Sequence, residues 1–565
     1  MAMKLVVRTS INRLIGEPVK LITLLGVLVA LFGLVVYPLA LLVKFSATDT
    51  GGAPSIAPLV SAFTYPGMAR AALNSVSLTV WVALWANVIA LPLAWLVART
   101  DMPGKMMIRI GVALAFVIPS FITVISWIFL AAPNAGYLNA LAKSVLGIDF
   151  PLFNIVSFNG LIFIETAHLF PLIFFTVSTA LTNVDPSHEQ AARILGAGRI
   201  RVLATITLPM VAPAVMAGTI LVMLDALSAF GAPAAIGTMA NFSLLTTKIY
   251  QLLSFPPRLD LAAATALPIV LATCLFLWLQ RYVTGGNKYT SLTGKATAAQ
   301  PVTLGKWRTP AFLLAFAIIF VTALLPTAAL VVLSLLKGFG LDLAMENMTF
   351  RNFTIVANPS RSSFDAILHS LGLAVVCAGI CVLLGVICAW LVERTNFPGR
   401  GAVSGIIMLT YGFPSIAFAV AIMLGYIDLF YGTFTILAIA YVAKNLPVSF
   451  VMFRSSFKQL SPDMEEVARV VGAGWLRSML QVTLPLLKAS AWAAGLLVFA
   501  VALRELSMSA ILVQPHTEVM ATSVLEFLET GAVELSAAMA VIIVLCSVAS
   551  LLVLRLIAGR GRMEV

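Results

Sequence analysis

The chain predicts an all-α membrane protein of about twelve transmembrane helices, built as two parallel six-helix repeats, and three observations carry that prediction. The 565 residues are 61% hydrophobic and only 10% charged, with a mean hydropathy of +1.04. That composition leaves too little polar surface to coat a soluble particle. The apolar residues fall into about twelve runs, each near the roughly 20 residues that one bilayer crossing requires. Finally, two polar segments of the first half of the chain return in the second half, so one unit is present twice.

Taken in order, the apolar runs place helices near 21–43, 74–98, 108–131, 158–182, 205–227 and 261–282. A second set follows near 310–336, 369–392, 402–427, 433–453, 484–503 and 536–557. The first run is bracketed by Lys20 and Lys44. It is too long for a signal-peptide core and has no small-residue cleavage site after it, so it reads as a retained span. Pro119 with Ser120 in the third span, answered by Pro414 with Ser415 in the ninth, read as helix kinks. The stretch after Tyr282, rich in Gly, Thr, Ala and Lys, reads as a flexible linker. The expected organisation is a first half at 1–282, a linker at 283–309 and a second half at 310–565. An even number of spans per half makes the repeats parallel, related by an axis along the membrane normal.

The duplication is visible residue by residue. Glu189 to Pro209 returns as Glu465 to Pro485 with ten of 21 positions identical, at a numbering offset of 276. Ala94 to Lys105 (AWLVARTDMPGK) returns as Ala389 to Arg400 (AWLVERTNFPGR) with eight of 12 identical, at an offset of 295. The first half therefore holds 19 extra residues between these landmarks, and they fall near 132–157. That outer loop is expected to form short interfacial helices or a partner contact.

A net charge of +12 does not point to nucleic acid, because the basic residues sit at the ends of apolar runs rather than in a surface block. With the N-terminus on the cytoplasmic side, most of the 35 basic residues face inward, which is the positive-inside bias. The five cysteines all lie within apolar runs. Cys377 and Cys381 are one helical turn apart, but no histidine or carboxylate accompanies them, so no metal site is expected.

The two repeated polar islands, about 183–209 and 459–485, cannot sit in lipid and must lie on one membrane face. Each reads as helix, turn, helix. Asp185 with Pro186, and Ser461 with Pro462, suit an N-cap followed by proline at the first helical position. Ala191, Ala192 and Ala468 leave a slim helical face, Gly196 and Gly472 allow a sharp bend, and Pro209 and Pro485 restart the chain at the membrane boundary.

These islands resemble the signature loop of the membrane permeases of binding-protein-dependent ABC importers, which reads E-A-A, three residues, G, about nine residues, then I-x-L-P. Both copies match, with Ile206, Leu208 and Pro209 answered by Val482, Leu484 and Pro485. Gln190 stands where the family's glutamate falls, with Glu189 one residue earlier, and Val467 replaces an alanine. The resemblance implies a type I ABC importer permease fold, with each island a coupling helix that fits a groove in an ATPase. The residues so implied in ATPase coupling are Glu189, Ala191, Ala192, Gly196 and Pro209, and Glu465, Glu466, Ala468, Gly472 and Pro485. It also implies a dimer of ABC ATPase subunits on the cytoplasmic side, a periplasmic or extracellular solute-binding protein, and a bacterial inner (plasma) membrane location with both termini cytoplasmic. No G-x-x-x-x-G-K-[ST] occurs in the chain, so ATP is expected on the partner ATPase, with no cofactor bound here and no enzymatic activity of its own.

Ionisable groups inside spans are costly and usually face a bundle interior or water path. Glu165 and His168 lie one turn apart, Lys444 is the repeat-equivalent of His168, Asp225 sits in the fifth span, and Arg504 and Glu505 end the eleventh. All six are pathway candidates, although structural ion pairing across the pseudo-axis accounts for them equally well. Fused two-half permeases of this length resemble the ferric-iron import group, with relatives for thiamine, aminoethylphosphonate and polyamines. RELSMSAIL at Arg504 to Leu512 fits that group, whereas Ala229 stands where iron-type relatives often carry an acidic residue. An ion-gradient-driven secondary transporter is the alternative from another class; it would need no polar islands.

Overall fold

The computed structural model describes residues 18–48, 53–254, 256–285, 301–461, 463–470 and 472–560. Among these, nine helices are long and apolar enough to cross a membrane, and three further pairs of helices each form one bent span, giving up to 12. The unbroken spans of the first half are Val19–Ser46, Met68–Arg99, Phe158–Asn183, Ala204–Ser228 and Leu259–Gln280. Those of the second half are Gly305–Leu335, Ser362–Arg394, Phe434–Gln459 and Val533–Ile557. They are numbered here in chain order, with the bent pairs as spans 3, 9 and 11.

The expected kinks in spans 3 and 9 are far sharper than kinks. Lys105–Val117 and Ser120–Ala131 meet at 99°, and Arg400–Gly412 and Ser415–Phe430 meet at 114°. The reason is local: a proline disfavours helical backbone at the residue before it and has no N–H to continue the ladder. Ile118 and Pro119 are accordingly extended, as are Phe413 and Pro414, and the helix restarts at each serine. The restarted pieces are central, for Phe121 to Ala131 and Ile416 to Gly425 are buried without interruption. A helix that is apolar on every side belongs in a core.

Four other prolines are absorbed differently. Pro38, Pro209, Pro326 and Pro485 each follow a single π turn, at Phe32–Val36, Leu203–Thr207, Phe320–Leu324 and Met479–Thr483. A π turn widens the helix where the ring would collide with an upstream carbonyl. Pro209 therefore does not restart the chain. Helix begins at Arg199 and runs on through Ser228, whereas the matching span 11 breaks at Leu487 with a 73° bend.

The two halves are interlocked through their first spans. Span 1 packs against the second piece of span 9 and against span 6, and the Tyr426 hydroxyl donates to the Gly33 carbonyl at 2.7 Å. Span 7 mirrors it, packing against the second piece of span 3 and against span 12. Gly111, on the first piece of span 3, lets span 7 pass close by, since a Cβ there would lie 2.1 Å from Ile319 Cγ2.

The extra loop near 132–157 does contain a short helix, Tyr137–Leu146, and the Tyr137 hydroxyl donates to the Leu341 carbonyl of the second half. Both edges of the linker expected over 283–309 lie among the described residues. Helix continues to Gly285, and the segment from Val302 docks on the turn after span 2, with Val302 N donating to Arg99 O at 2.8 Å and Leu304 N to Asp101 Oδ1 at 2.9 Å. Residues 286–300, both chain ends and Pro462 lie outside the described residues.

Gly111→Val should force spans 3 and 7 apart and cost about 1–3 kcal/mol, read as a lowered thermal midpoint in detergent. Gly379→Ala, on span 8 with nothing within 4 Å of the new methyl, should stay within about 0.5 kcal/mol of the parent.

Candidate functional site

Each break in spans 3 and 9 strands carbonyl oxygens that a continuous helix would have satisfied, and the sequence supplies a cation for each. Lys444 Nζ donates to Phe413 O at 2.6 Å, Thr410 O at 3.3 Å and Tyr411 O at 3.5 Å. At the other break, Arg504 Nη1 donates to Val117 O at 2.6 Å and Phe116 O at 3.3 Å, with the guanidinium 5.9 Å from the Phe116 ring centre. A cation at a helix C-terminus also meets the negative end of the macrodipole. His168 stacks on Phe116 at 5.6 Å and faces the backbone of Ala115 and Ile118, so it stands at the first break as Lys444 stands at the second.

Between the breaks lies a cavity of 210 Å³ lined from both halves, with Asp225 and Ser228 on one wall and Lys444, Tyr411, Asn445 and Glu505 on the other. Three of the six pathway candidates thus meet in one space. Among the described residues, Asp225 has neither a hydrogen bond nor an ion-pair partner within 4.0 Å, and its side chain is exposed to the cavity. Glu505 is tied by its Oε1 to the Met508 amide at 3.1 Å. The expected pairing of opposite charges across the pseudo-axis does not form as contact ion pairs, because Lys444 and Arg504 are already committed to carbonyls. Glu165 is buried beside the first break, next to Ser120, with Oε1 unpartnered. Its repeat counterpart is Tyr441, whose hydroxyl lies 2.7 Å from Ser509 Oγ. Sequence reasoning passed over Tyr441 and Asn445, although the 276 offset from Glu165 pointed at the first.

The polar islands fold as expected locally. Ser187 N donates to Asp185 Oδ1 at 2.9 Å and Asp463 N to Ser461 Oγ at 3.3 Å, so both N-caps form. The helices Pro186–Ile194 and Asp463–Val470 end at Gly196 (φ 84°) and Gly472 (φ 83°). A Cβ at either glycine would meet nothing, so the left-handed backbone, not space, requires glycine there. Ala197 N to Ala192 O and Ala473 N to Ala468 O then close each turn, at 2.9 and 3.0 Å.

The side chains on these helices divide into two sets. Ile194 and Leu195 are 86% and 87% exposed, and Val467, Val470, Ala191 and Glu466 also face outward. Glu189 and Glu465 turn the other way, and Ala468 is buried. Glu189 pairs with Arg99 and accepts from Thr207 Oγ1 at 2.8 Å, while Glu465 pairs with Arg394 at 3.4 Å. Arg99 also reaches the Leu181 and Val184 carbonyls at 3.5 Å, and Arg394 Nη2 reaches the equivalent Leu460 carbonyl at 2.7 Å. Both arginines belong to the repeated AWLVART and AWLVERT segments. Sequence reasoning used those segments only as evidence of duplication and missed what they touch.

The family model for binding-protein-dependent transport system inner membrane components matches residues 90–287 and 381–562. The ferric transport system permease protein FbpB of Actinobacillus pleuropneumoniae is 24% identical over 558 residues, covering 97% of this chain and 79% of the relative. The putative ferric transport system permease protein FbpB 1 of Haemophilus influenzae is 25% identical over 516 residues, covering 89% of this chain and 79% of the relative. The molybdenum transport system permease protein ModB of Escherichia coli is 36% identical over 140 residues, covering 25% of this chain and 58% of the relative. A crystal structure of a bacterial ABC transporter that imports the acidic polysaccharide alginate aligns at 18% identity and a TM-score of 0.38, over 44% of this chain and 89% of that chain.

Lys444→Met should leave the span 9 carbonyls without their donor and lower stability by about 1–3 kcal/mol, whereas Lys444→Arg should keep most of it. Thermal unfolding of the detergent-solubilised chain checks this, and equal midpoints for Met and Lys would refute the capping role.

Proposed function

Because the chain belongs to the family of binding-protein-dependent transport system inner membrane components, we propose that it is the fused permease of an ATP-driven importer of ferric iron. The observation that carries this reading is the family match in both halves, each match containing one polar island. The ferric names of the relatives that align over most of the chain support the cargo. A small cavity with an unpartnered Asp225 carboxylate suits a hard, highly charged cation, for which oxygen donors are preferred. 2-Aminoethylphosphonate, the cargo named for a more partial relative, carries a phosphonate that such a carboxylate would repel.

In this reading the islands face the cytoplasm together with both termini, and each engages one subunit of an ATPase dimer through its outward side chains. Ile194, Leu195, Val467 and Val470 would be buried by that contact, which accounts for large apolar side chains on otherwise polar loops. A solute-binding protein delivers its cargo at the opposite face. The permease holds no nucleotide; ATP binds and is hydrolysed on the ATPase. Transport follows because ATP and the loaded binding protein favour different permease states, so their alternation moves the cavity between the two faces. On this reading the chain divides into a first half at 1–282, a linker at 283–309 and a second half at 310–565.

The test is uptake by proteoliposomes that hold the permease with its ATPase and a binding protein. Ferric iron should enter only with ATP and all components, Asp225→Asn should cut uptake about tenfold without loss of ATPase association, and molybdate should not compete. Uptake by the permease alone down an ion gradient would reject the reading in favour of a secondary carrier.

A further inference from the structure

We propose that Arg99 and Arg394 are positioning residues that lock each island helix to the core spans, so that a push on the island reaches the cavity as rigid-body motion. This rests on the importer reading above and adds to it a specific mechanical link. Each arginine is the last residue of a long span, Met68–Arg99 or Ser362–Arg394. Each joins three elements: its own span, the carbonyl end of span 4 or 10, and a glutamate in the first half of the island helix. The side chains are withdrawn from solvent, at 4% and 12% exposure for Arg99 and Glu189 and 11% each for Arg394 and Glu465. A buried pair resists separation because moving one partner leaves an unpaired charge behind, so island and span move together.

The link continues into the membrane. Spans 8 and 10 are pressed together, since a Cβ on Gly385 would lie 2.2 Å from Ser449 Oγ. Lys444 sits on span 10, 16 residues before Leu460, which is about 24 Å of helix. It grips the broken end of span 9 at the cavity wall. Island, arginine, paired spans, lysine and broken span thus form one connected body in the second half. The first half repeats it with Arg99 and His168, and there the docked Val302 segment and Thr207 add further holds. The two glutamates of the second island therefore divide the work. Glu466 is exposed and available to a partner, while Glu465 faces inward to the span.

The experiment uses the complete transporter, permease with ATPase and binding protein, in proteoliposomes. Arg394→Glu and Glu465→Arg should each keep the ATPase in the purified complex yet reduce uptake about tenfold and blunt the stimulation of ATP hydrolysis by loaded binding protein. The double exchange R394E/E465R should restore most of the uptake, and Arg394→Lys should lose less than Arg394→Glu. Glu466→Lys should instead release the ATPase. Wild-type uptake in the single variants, or loss of the ATPase from them with no recovery in the double exchange, would overturn the proposal. Failure of the importer reading is separate, because it would show as absent ATP-dependent uptake in the unmodified transporter.

Discussion

Breaking a helix inside a bilayer strands carbonyl oxygens where no bulk water can satisfy them, and the centre of this molecule is organised by the need to cap them. Spans 3 and 9 turn by about a right angle at proline. The donors come from span 10 and from just after span 11, which brings Lys444 to the break in span 9 and Arg504 to the break in span 3. With the cations committed to carbonyls, Asp225 is left without a contact partner and Glu505 is held by the Met508 amide. Asp225 then presents its carboxyl group to the cavity without a contact partner, a costly placement that is usual only where a membrane protein handles a polar cargo. One constraint on backbone hydrogen bonding thus accounts for both the shape of the cavity and its charge.

The twofold plan is kept where mechanics require it and abandoned where recognition does not. The π turns before Pro209 and Pro485, the left-handed Gly196 and Gly472, and the two inward arginine–glutamate pairs all repeat. The cavity walls do not. Asp225 on one wall is answered by Val501 on the other, and Glu505 by Ala229, so the two walls carry charge in different patterns.

Much of this was legible in the linear pattern. Hydropathy placed all twelve runs on the observed spans, with the largest miss the start of span 11, expected at 484 and observed at Trp475, because crossing length is imposed by the bilayer. The offset difference located the extra loop, and Asp185 and Ser461 announced their caps through local backbone chemistry. The sharpness of the turns at Pro119 and Pro414 was not legible, because the same proline grammar yields a π turn at Pro209 and a right angle at Pro414. The local rule permits either outcome, and at both right-angle breaks a residue distant in sequence meets the opened carbonyls. Glu189 and Glu465 were read as docking residues on position in a motif, and only the fold shows that both side chains point inward.

Composition, periodicity and repetition by themselves determined the class of protein, the number of crossings, the duplication and the two islands. Each of those depends on residues near one another in the chain or on the fixed thickness of the membrane. The tertiary structure alone decided which charges meet: Arg99 with Glu189 across 90 residues, Arg504 with the end of span 3 across 387. Those contacts join segments that no local rule relates, and the free energy of pairing a buried charge is set by where the partner lies in space.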